Sequence, residues 1–161
     1  IAVEGMRLVI ENLPKVYFNP KDIDARSNMM SAALMGATAF QKGLGAIHAL
    51  SHPIGAHFNT HHGTTNALLM PAVLQLNAPV IKERFDQVVG YLGLSGGFVG
   101  FCEFVDSFNE SFAIPKTLSA LGISAPDIET LVGGALSDPS CGGNPVPLTV
   151  ENLRPILESV A

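Results

Sequence analysis

The sequence predicts an all-α fold, a helical bundle that forms one domain over residues 1–161. Apolar residues recur at helical spacing along most of the chain, and strand-like alternation is sustained nowhere. Of the 161 residues, 47% are hydrophobic and 14% are charged, a composition typical of one domain with a sizeable core. No internal repeat or low-complexity segment interrupts this pattern.

The N-terminal part is predicted to contain two helices. Residues 3–13 carry an apolar stripe at helical spacing, and Pro14 is expected to end that helix. A turn is predicted at Asn19-Pro20. Residues 23–40 are rich in Ala, Met and Leu with few charges, which predicts a second helix that is buried.

Further helices are predicted after the midpoint of the chain. Residues 81–92 and 98–112 have helical periodicity, and we interpret the phenylalanine stripe of the latter as core packing. Ser124-Ala-Pro-Asp127 is a helix-capping sequence, and the apolar residues after it, Ile128, Leu131, Val132 and Ala135, lie on one helix face. Thr149 is expected to cap a last helix, which Pro155 should kink or delay. The helix joints are predicted near Asn19, Thr60, Ala78, Ser95, Pro115, Ser124 and Gly142.

Composition argues against several classes of partner. The net charge is -5, and nine scattered Lys and Arg residues form no basic stripe for a phosphate backbone, so nucleic acid is excluded as an expected partner. The best apolar run, residues 67–74, is too short for a membrane span and contains Pro71. Cys102 and Cys141 lack the spacing of a disulfide scaffold or a zinc site, which favours a cytoplasmic protein.

All five histidines lie between positions 48 and 62. His48 and His52 are four residues apart, so on a helix they share one face, and Pro53 allows the helical turn before it. After a loop at Asn59-Thr60, His62 is expected to open the next helix, with its ring free to turn toward His48.

Two converging imidazoles provide half of a four-ligand site for Fe(II), Zn(II) or a related ion. The nearby acidic residues show no spacing that selects a third ligand. Spacing alone therefore leaves two interpretations open, a metal site and a solvated helix end.

Three segments resemble the signature of the iron-containing, group III alcohol dehydrogenases. They are His48-Ala-Leu-Ser-His52-Pro-Ile-Gly-Ala, the segment from Asn59 through His62-Gly-Thr-Thr-Asn66 to Pro71, and Asp138-Pro-Ser-Cys141-Gly-Gly-Asn144-Pro145. The resemblance covers essentially the whole chain. It implies the C-terminal helical domain of a dehydroquinate synthase-like fold, which holds a metal in a cleft beside a separate nicotinamide-binding domain.

The resemblance also implies a role for individual histidines. His48 and His62 match two metal ligands, with Fe(2+) as the expected ion and Zn(2+) as the alternative. His52 matches the histidine that faces nicotinamide and substrate, and is expected to act in catalysis as a proton relay. His61 adjoins His62, but the family's ligand is the histidine directly before a glycine. His57 has no matching role and is expected on a helix surface.

By resemblance, the expected activity is that of an NAD(P)-dependent alcohol dehydrogenase, which interconverts short alcohols with aldehydes or ketones. The family's other two ligands, an Asp and a His, would precede Ile1, so the 161 residues alone are expected to be inactive. No cofactor-binding residue is assigned, because Gly43-Leu-Gly45 contains only part of a dinucleotide fingerprint. Close helix packing is the expected reason for these two glycines, and a homodimer is a candidate assembly.

Two alternative functions stay open. A maleylacetate reductase resembles the family in the same region, although Gly63 and Asn66 favour the alcohol dehydrogenases. The second alternative is a non-catalytic helical module that helps a partner chain to assemble. By resemblance, Cys141 and Asn144 border the active cleft, and no chemistry is assigned to the thiol.

Overall fold

A computed structural model describes residues 1–123 and 127–161, and the regular structure in those two ranges is helical, without strands. This confirms the predicted all-α class. Short 3-10 turns follow the second helix, precede the sixth and lie between the last two. The α-helices are α1 (Ala2–Phe18), α2 (Ile23–Ala39), α3 (Ala46–Phe58), α4 (His62–Tyr91), α5 (Gly97–Ser111), α6 (Ile128–Ser137) and α7 (Val150–Val160).

The main hydrophobic core lies among α3, α4, α6 and α7, called here the core helices. Each contributes an apolar face that is almost completely buried, with residues at the expected helical spacing. In α6 the predicted face is confirmed, because Leu131, Val132 and Ala135 are buried. The other fully buried side chains in this core include Leu50, Ile54, Leu69, Leu153 and Leu157.

A small residue lets α6 approach α3 closely. A Cβ atom placed on Gly134 would lie 2.8 Å from Cβ of Pro53, so α6 can sit at this distance only with glycine there. This contact fixes the end of α6 beside the histidine-bearing helix α3.

The predicted helix caps lie partly in the described ranges. Asp127 caps α6 by accepting a hydrogen bond from the backbone N–H of Thr130 at 3.1 Å. The rest of that predicted capping sequence, residues 124–126, lies outside the described residues. Thr149 is the N-cap of α7, as predicted, and its N–H donates to Oδ1 of Asn152.

Proline ends fewer helices than the sequence predicts. The expected stop at Pro14 is wrong, since α1 continues to Phe18, and the expected joint near Ala78 is wrong, since α4 runs unbroken through Pro71 and Pro79. Pro155 likewise lies inside α7 without delaying its start. A proline removes one backbone hydrogen bond but keeps a helical φ, so a helix held by its other backbone bonds and by packing elsewhere can continue through it.

The phenylalanine stripe of α5 packs as predicted. Phe101 and Val105 are buried against Val89 of α4, and the rings of Phe85 and Phe101 lie 4.8 Å apart. This second, smaller core attaches α5 to the C-terminal half of α4.

The N-terminal hairpin, α1 and α2, packs differently. Its two helices pair closely with each other, and an apolar cavity of about 530 Å³ lies between them and α4 and α5, beside the point where Met6 packs against the second core. The prediction that α2 is buried is wrong, because only Ala25 and Ala32 are buried, whereas Met30 and Leu34 are 76% and 70% exposed. Among the described residues, no helix is long and apolar enough to cross a membrane.

Candidate metal centre

Three of the five histidines form a triangle at one end of the core helices. The ring centroids of His48 and His62 lie 5.2 Å apart, those of His52 and His62 5.5 Å, and those of His48 and His52 5.7 Å. The structure thus brings together the three histidines for which the sequence predicts roles.

Helix geometry and one tight turn create this triangle. His48 and His52 lie one turn apart on α3, which continues through Pro53 to Phe58. Asn59 then adopts a left-handed conformation with φ 53°, a geometry that asparagine tolerates better than most residues. The chain reverses there, and His62 becomes the first residue of α4.

The two remaining histidines lie outside the triangle. His61 is the N-cap of α4, and its Nδ1 accepts a hydrogen bond from the N–H of Thr64 at 3.3 Å. His57 is exposed in the last turn of α3, as the sequence predicts. His62 therefore lies in the triangle, whereas its neighbour His61 caps the N-terminus of α4.

Asn66 links the two imidazoles for which metal binding is predicted. Its Nδ2 lies 3.0 Å from Nε2 of His62 and 3.4 Å from Nε2 of His48. Both Nε2 atoms therefore face the same side-chain amide, and a neutral ring with an unprotonated Nε2 can accept a hydrogen bond from it. Oδ1 of Asn66 is buried without a hydrogen-bond partner.

This arrangement fits a divalent cation. The Nε2 atoms of His48 and His62 approach one region beside Asn66, and a neutral imidazole with an unprotonated Nε2 is a metal ligand. Burial lowers the pKa of His48, and the charges of His62 and His52 lower it further, which favours the neutral form that binds metals. The described residues include no group of three His, Cys, Asp or Glu side chains placed to hold an ion by themselves.

A carboxylate that the sequence analysis assigned no role contacts the triangle. Oδ2 of Asp138 accepts a hydrogen bond from Nδ1 of His52 at 2.8 Å, across 86 positions of sequence. Burial raises the pKa of the Asp138 carboxyl, but hydrogen bonds from Ser140 and His52 outweigh it, so the pKa is lowered. The only sequence signal was that Asp138 opens the third motif segment.

Asn144 lies in the loop predicted to border the cleft, and its side chain fastens that loop to the core helices. Oδ1 accepts from the N–H of Ala46, at the start of α3, and from Nδ2 of Asn77. Nδ2 donates to Oδ1 of Asn77 at 2.8 Å and to the carbonyl of Val146. Cys141 is a half-buried free thiol that packs against the main core.

Glycine is favoured at the two positions before α3, Gly43 and Gly45, for different structural reasons. A Cβ on Gly45 would lie 2.8 Å from Oδ1 of Asn144, so this glycine serves close packing against a loop. Gly43 has open space around it, but its φ is 102°. Glycine is favoured there because it adopts a positive φ without steric cost. The expectation that close packing between helices explains both glycines is therefore wrong for Gly43. At Gly45 the packing is close, but the neighbour is a loop and not a helix.

Comparisons with known proteins agree with this fold. Residues 1–161 match the Fe-containing alcohol dehydrogenase family, C-terminal. The chain is 34% identical to a 4-hydroxybutyrate dehydrogenase of Cupriavidus necator and 33% identical to an NAD-dependent methanol dehydrogenase of Bacillus methanolicus. Each alignment covers 98% of this chain and 44% of the relative, so the chain spans less than half the length of these relatives.

Solved structures share the same helical arrangement. A 1,3-propanediol oxidoreductase superposes with a TM-score of 0.93 over 99% of this chain and 44% of that protein, and its 24% identity shows the fold alone. A maleylacetate reductase from Rhizobium sp. strain MTP-10005 superposes with a TM-score of 0.81 at 26% identity, over 98% of this chain and 43% of that protein.

Proposed function

We propose a function from the premise that this chain belongs to the Fe-containing alcohol dehydrogenase family. The chain supplies two ligands, His48 and His62, to a catalytic divalent metal ion, and His52 relays a proton. The reaction is the NAD(P)-dependent interconversion of short alcohols with aldehydes or ketones.

One observation carries the proposal, the convergence of two Nε2 atoms, from α3 and α4, on the side-chain amide of Asn66. A solvated helix end, the alternative left open by spacing, would not require two rings from different helices to face one side-chain amide. The unsatisfied Oδ1 of Asn66 is a further sign that this amide lies at a ligand site, because buried polar atoms normally have partners.

The chain's own residues supply binding and proton transfer. When bound, the metal ion supplies Lewis acidity that lowers the pKa of an alcohol hydroxyl, and the nicotinamide supplies hydride acceptance. His48 and His62 bind the ion through Nε2. His52 takes up the hydroxyl proton at Nε2 and passes it to water, a transfer for which its 41% exposed side chain is suitably placed.

The remaining assignments are part of the same proposal. The ion is Fe(2+) or Zn(2+), both of which accept imidazole. The substrates are small alcohols and aldehydes, in keeping with the names of the relatives. Both cysteines are free thiols, which supports a reducing cytoplasm. The exposed apolar residues of α2 support self-association or contact with another domain.

The first test measures metal content in the complete gene product. We expect His48→Ala or His62→Ala to abolish metal retention, because each removes an imidazole ligand. His52→Ala should retain the metal and lower kcat for alcohol oxidation, because it removes the proton relay. Metal is measured by elemental analysis after dialysis, and activity by nicotinamide absorbance with added Fe(2+) or Zn(2+).

His57→Ala is the matched control, since it removes an exposed histidine from the same helix α3. It should retain both metal and activity. Equal metal loss in the His48, His52 and His62 variants would contradict the separation of roles.

A second candidate is a reductase of the maleylacetate type, favoured by the structural likeness to that enzyme. Comparing kcat/KM for primary alcohols with that for an unsaturated keto acid separates the two. The proposal requires the alcohols to be preferred.

The non-catalytic alternative makes the opposite prediction for metal. A purely structural module should carry no stoichiometric iron or zinc after purification of the complete gene product. If the module only assists assembly, His48→Ala should not change any nicotinamide-dependent activity measured for the complete gene product.

A further inference from the structure

The strongest feature without an assigned role is the carboxylate beside His52. Asp138 lies at the end of α6 and caps the short turn Pro139–Gly143. Its two oxygens have separate partners: Oδ1 accepts from the N–H of Ser140 at 2.8 Å, and Oδ2 accepts from Nδ1 of His52 at 2.8 Å. The side chain of Asp138 is 13% exposed, whereas that of His52 is 41% exposed.

We infer that Asp138 is a positioning residue for His52, which fixes the ring by Nδ1 and leaves Nε2 as the nitrogen that exchanges protons. The inference rests on the proposed function of His52 as a relay. It adds the group that determines which ring nitrogen performs that function.

The chemistry of the two groups determines the tautomer. An ionised carboxylate can only accept hydrogen bonds, so Nδ1 of His52 must carry the proton between them. A neutral imidazole has one N–H, so its Nε2 then has the lone pair. Within the described residues no hydrogen bond engages this Nε2, which is therefore free to accept a proton.

The fold holds the carboxylate rigidly enough to orient the ring. The close approach of Gly134 to Pro53 fixes the end of α6 against the middle of α3. Leu131 and Ala135 of α6 are almost fully buried in the same core as Leu50 of α3. The hydrogen bond from the N–H of Ser140 to Oδ1 of Asp138 then orients the carboxylate. Its other oxygen, Oδ2, is thereby held in position to accept from Nδ1 of His52.

An asparagine at this position should reverse the tautomer. In Asp138→Asn the amide oxygen must remain on the N–H of Ser140, since only an oxygen can accept that bond. The amide NH2 then faces Nδ1 of His52 and donates to it, which moves the ring proton to Nε2. The cap of the turn is kept, because asparagine caps as well as aspartate.

The test is NMR of the complete gene product with 15N-labelled histidine, metal-free and loaded with Zn(2+), at a pH that keeps the ring neutral. The His52 signals are identified by their loss in His52→Gln. The wild type should show the Nδ1–H pattern of one-bond and two-bond couplings, and Asp138→Asn the Nε2–H pattern. In parallel, kcat should fall about 10–100-fold, with metal content and KM little changed.

Asp127→Asn is the matched control, because Asp127 also caps a helix, α6, and its carboxylate bonds Thr130 at the start of that helix rather than a histidine. It should keep the Nδ1–H pattern and the wild-type kcat. The inference is overturned if wild-type His52 is in the Nε2–H form, or if Asp138→Asn changes neither tautomer nor kcat.

Failure of the inference differs from failure of the proposed function. A tautomer reversal in a protein without alcohol-dependent nicotinamide reduction would support the Asp138–His52 link and contradict the relay. An active wild-type enzyme whose tautomer and kcat are unaffected by Asp138→Asn would contradict the link alone.

Discussion

The core helices and the N-terminal hairpin share helical periodicity but differ in how they are held. The core helices bury their large apolar side chains almost completely, and Leu50, beside the histidines, is 0% exposed. The hairpin lines an apolar cavity of about 530 Å³ and exposes Leu34 by 70%. The comparison indicates that dense packing is concentrated where side chains must be positioned for chemistry.

The largest expected effect contrasts the same substitution in the two regions. Leu50→Ala should destabilise α3 by about 2–5 kcal/mol, because it leaves a cavity in the main core. Leu34→Ala should change the free energy of opening by no more than about 0.5 kcal/mol, because that side chain is already exposed. Native-state hydrogen exchange of α3 and α2 amides in the complete gene product measures both. Similar losses for the two variants would break the comparison.

Smaller changes in stability are expected from replacing one glycine in each region, and the two changes should have opposite signs. Gly134→Ala should destabilise α6 by about 1–3 kcal/mol, because the new methyl group would overlap Pro53. Gly36→Ala, in the interior of α2 with open space around it, should stabilise that helix by about 0.5–1 kcal/mol. Urea titration followed by circular dichroism gives the direction of each change. If both variants lose stability, the hairpin is packed more tightly than the cavity indicates.

The smallest effect concerns the link between the hairpin and α4. Hydrogen bonds from Arg7 and Tyr91 lower the pKa of Glu4 from 4.5 to about 2. A lowered pKa means that the ionised form stabilises the folded state, so the contribution is complete above pH 4.5 and is lost as the pH falls through about 2. The melting temperatures of wild type and Glu4→Gln should therefore differ slightly at pH 7 and converge in acid.

High salt should also reduce that difference at pH 7, because the Glu4 side chain is partly exposed and dissolved ions screen its ion pair with Arg7. A difference that stays constant from pH 7 to pH 2 would show that the charge of the Glu4 carboxylate does not contribute to stability through Arg7 and Tyr91.

Sequence reasoning was most reliable where a signal is local. Helical spacing identified the buried face of α6 and the packing stripe of α5. The predicted turn near Thr60 and the start of a helix at His62 are also confirmed. Neighbours on a helix face are set by a repeat of a few residues, so these features need no knowledge of the rest of the fold.

Predictions that depended on distant neighbours were less reliable. Proline positions indicated ends for α1 and α4, but both helices continue because their surroundings outweigh one lost hydrogen bond. The apolar composition of α2 indicated burial, yet composition does not reveal what covers a helix. Its partner in this chain is mainly α1, which leaves one face open.

The sequence by itself determined the helical class, the shared face of His48 and His52, and the return of His62 after a short loop. These follow from backbone periodicity and turn chemistry within a few residues. Only the tertiary structure decided that Asp138 bonds His52 and that Asn66 joins His48 to His62. The Asp138 contact joins residues far apart in the chain, and both contacts depend on side-chain directions set by the packing of separate helices, which no local pattern records.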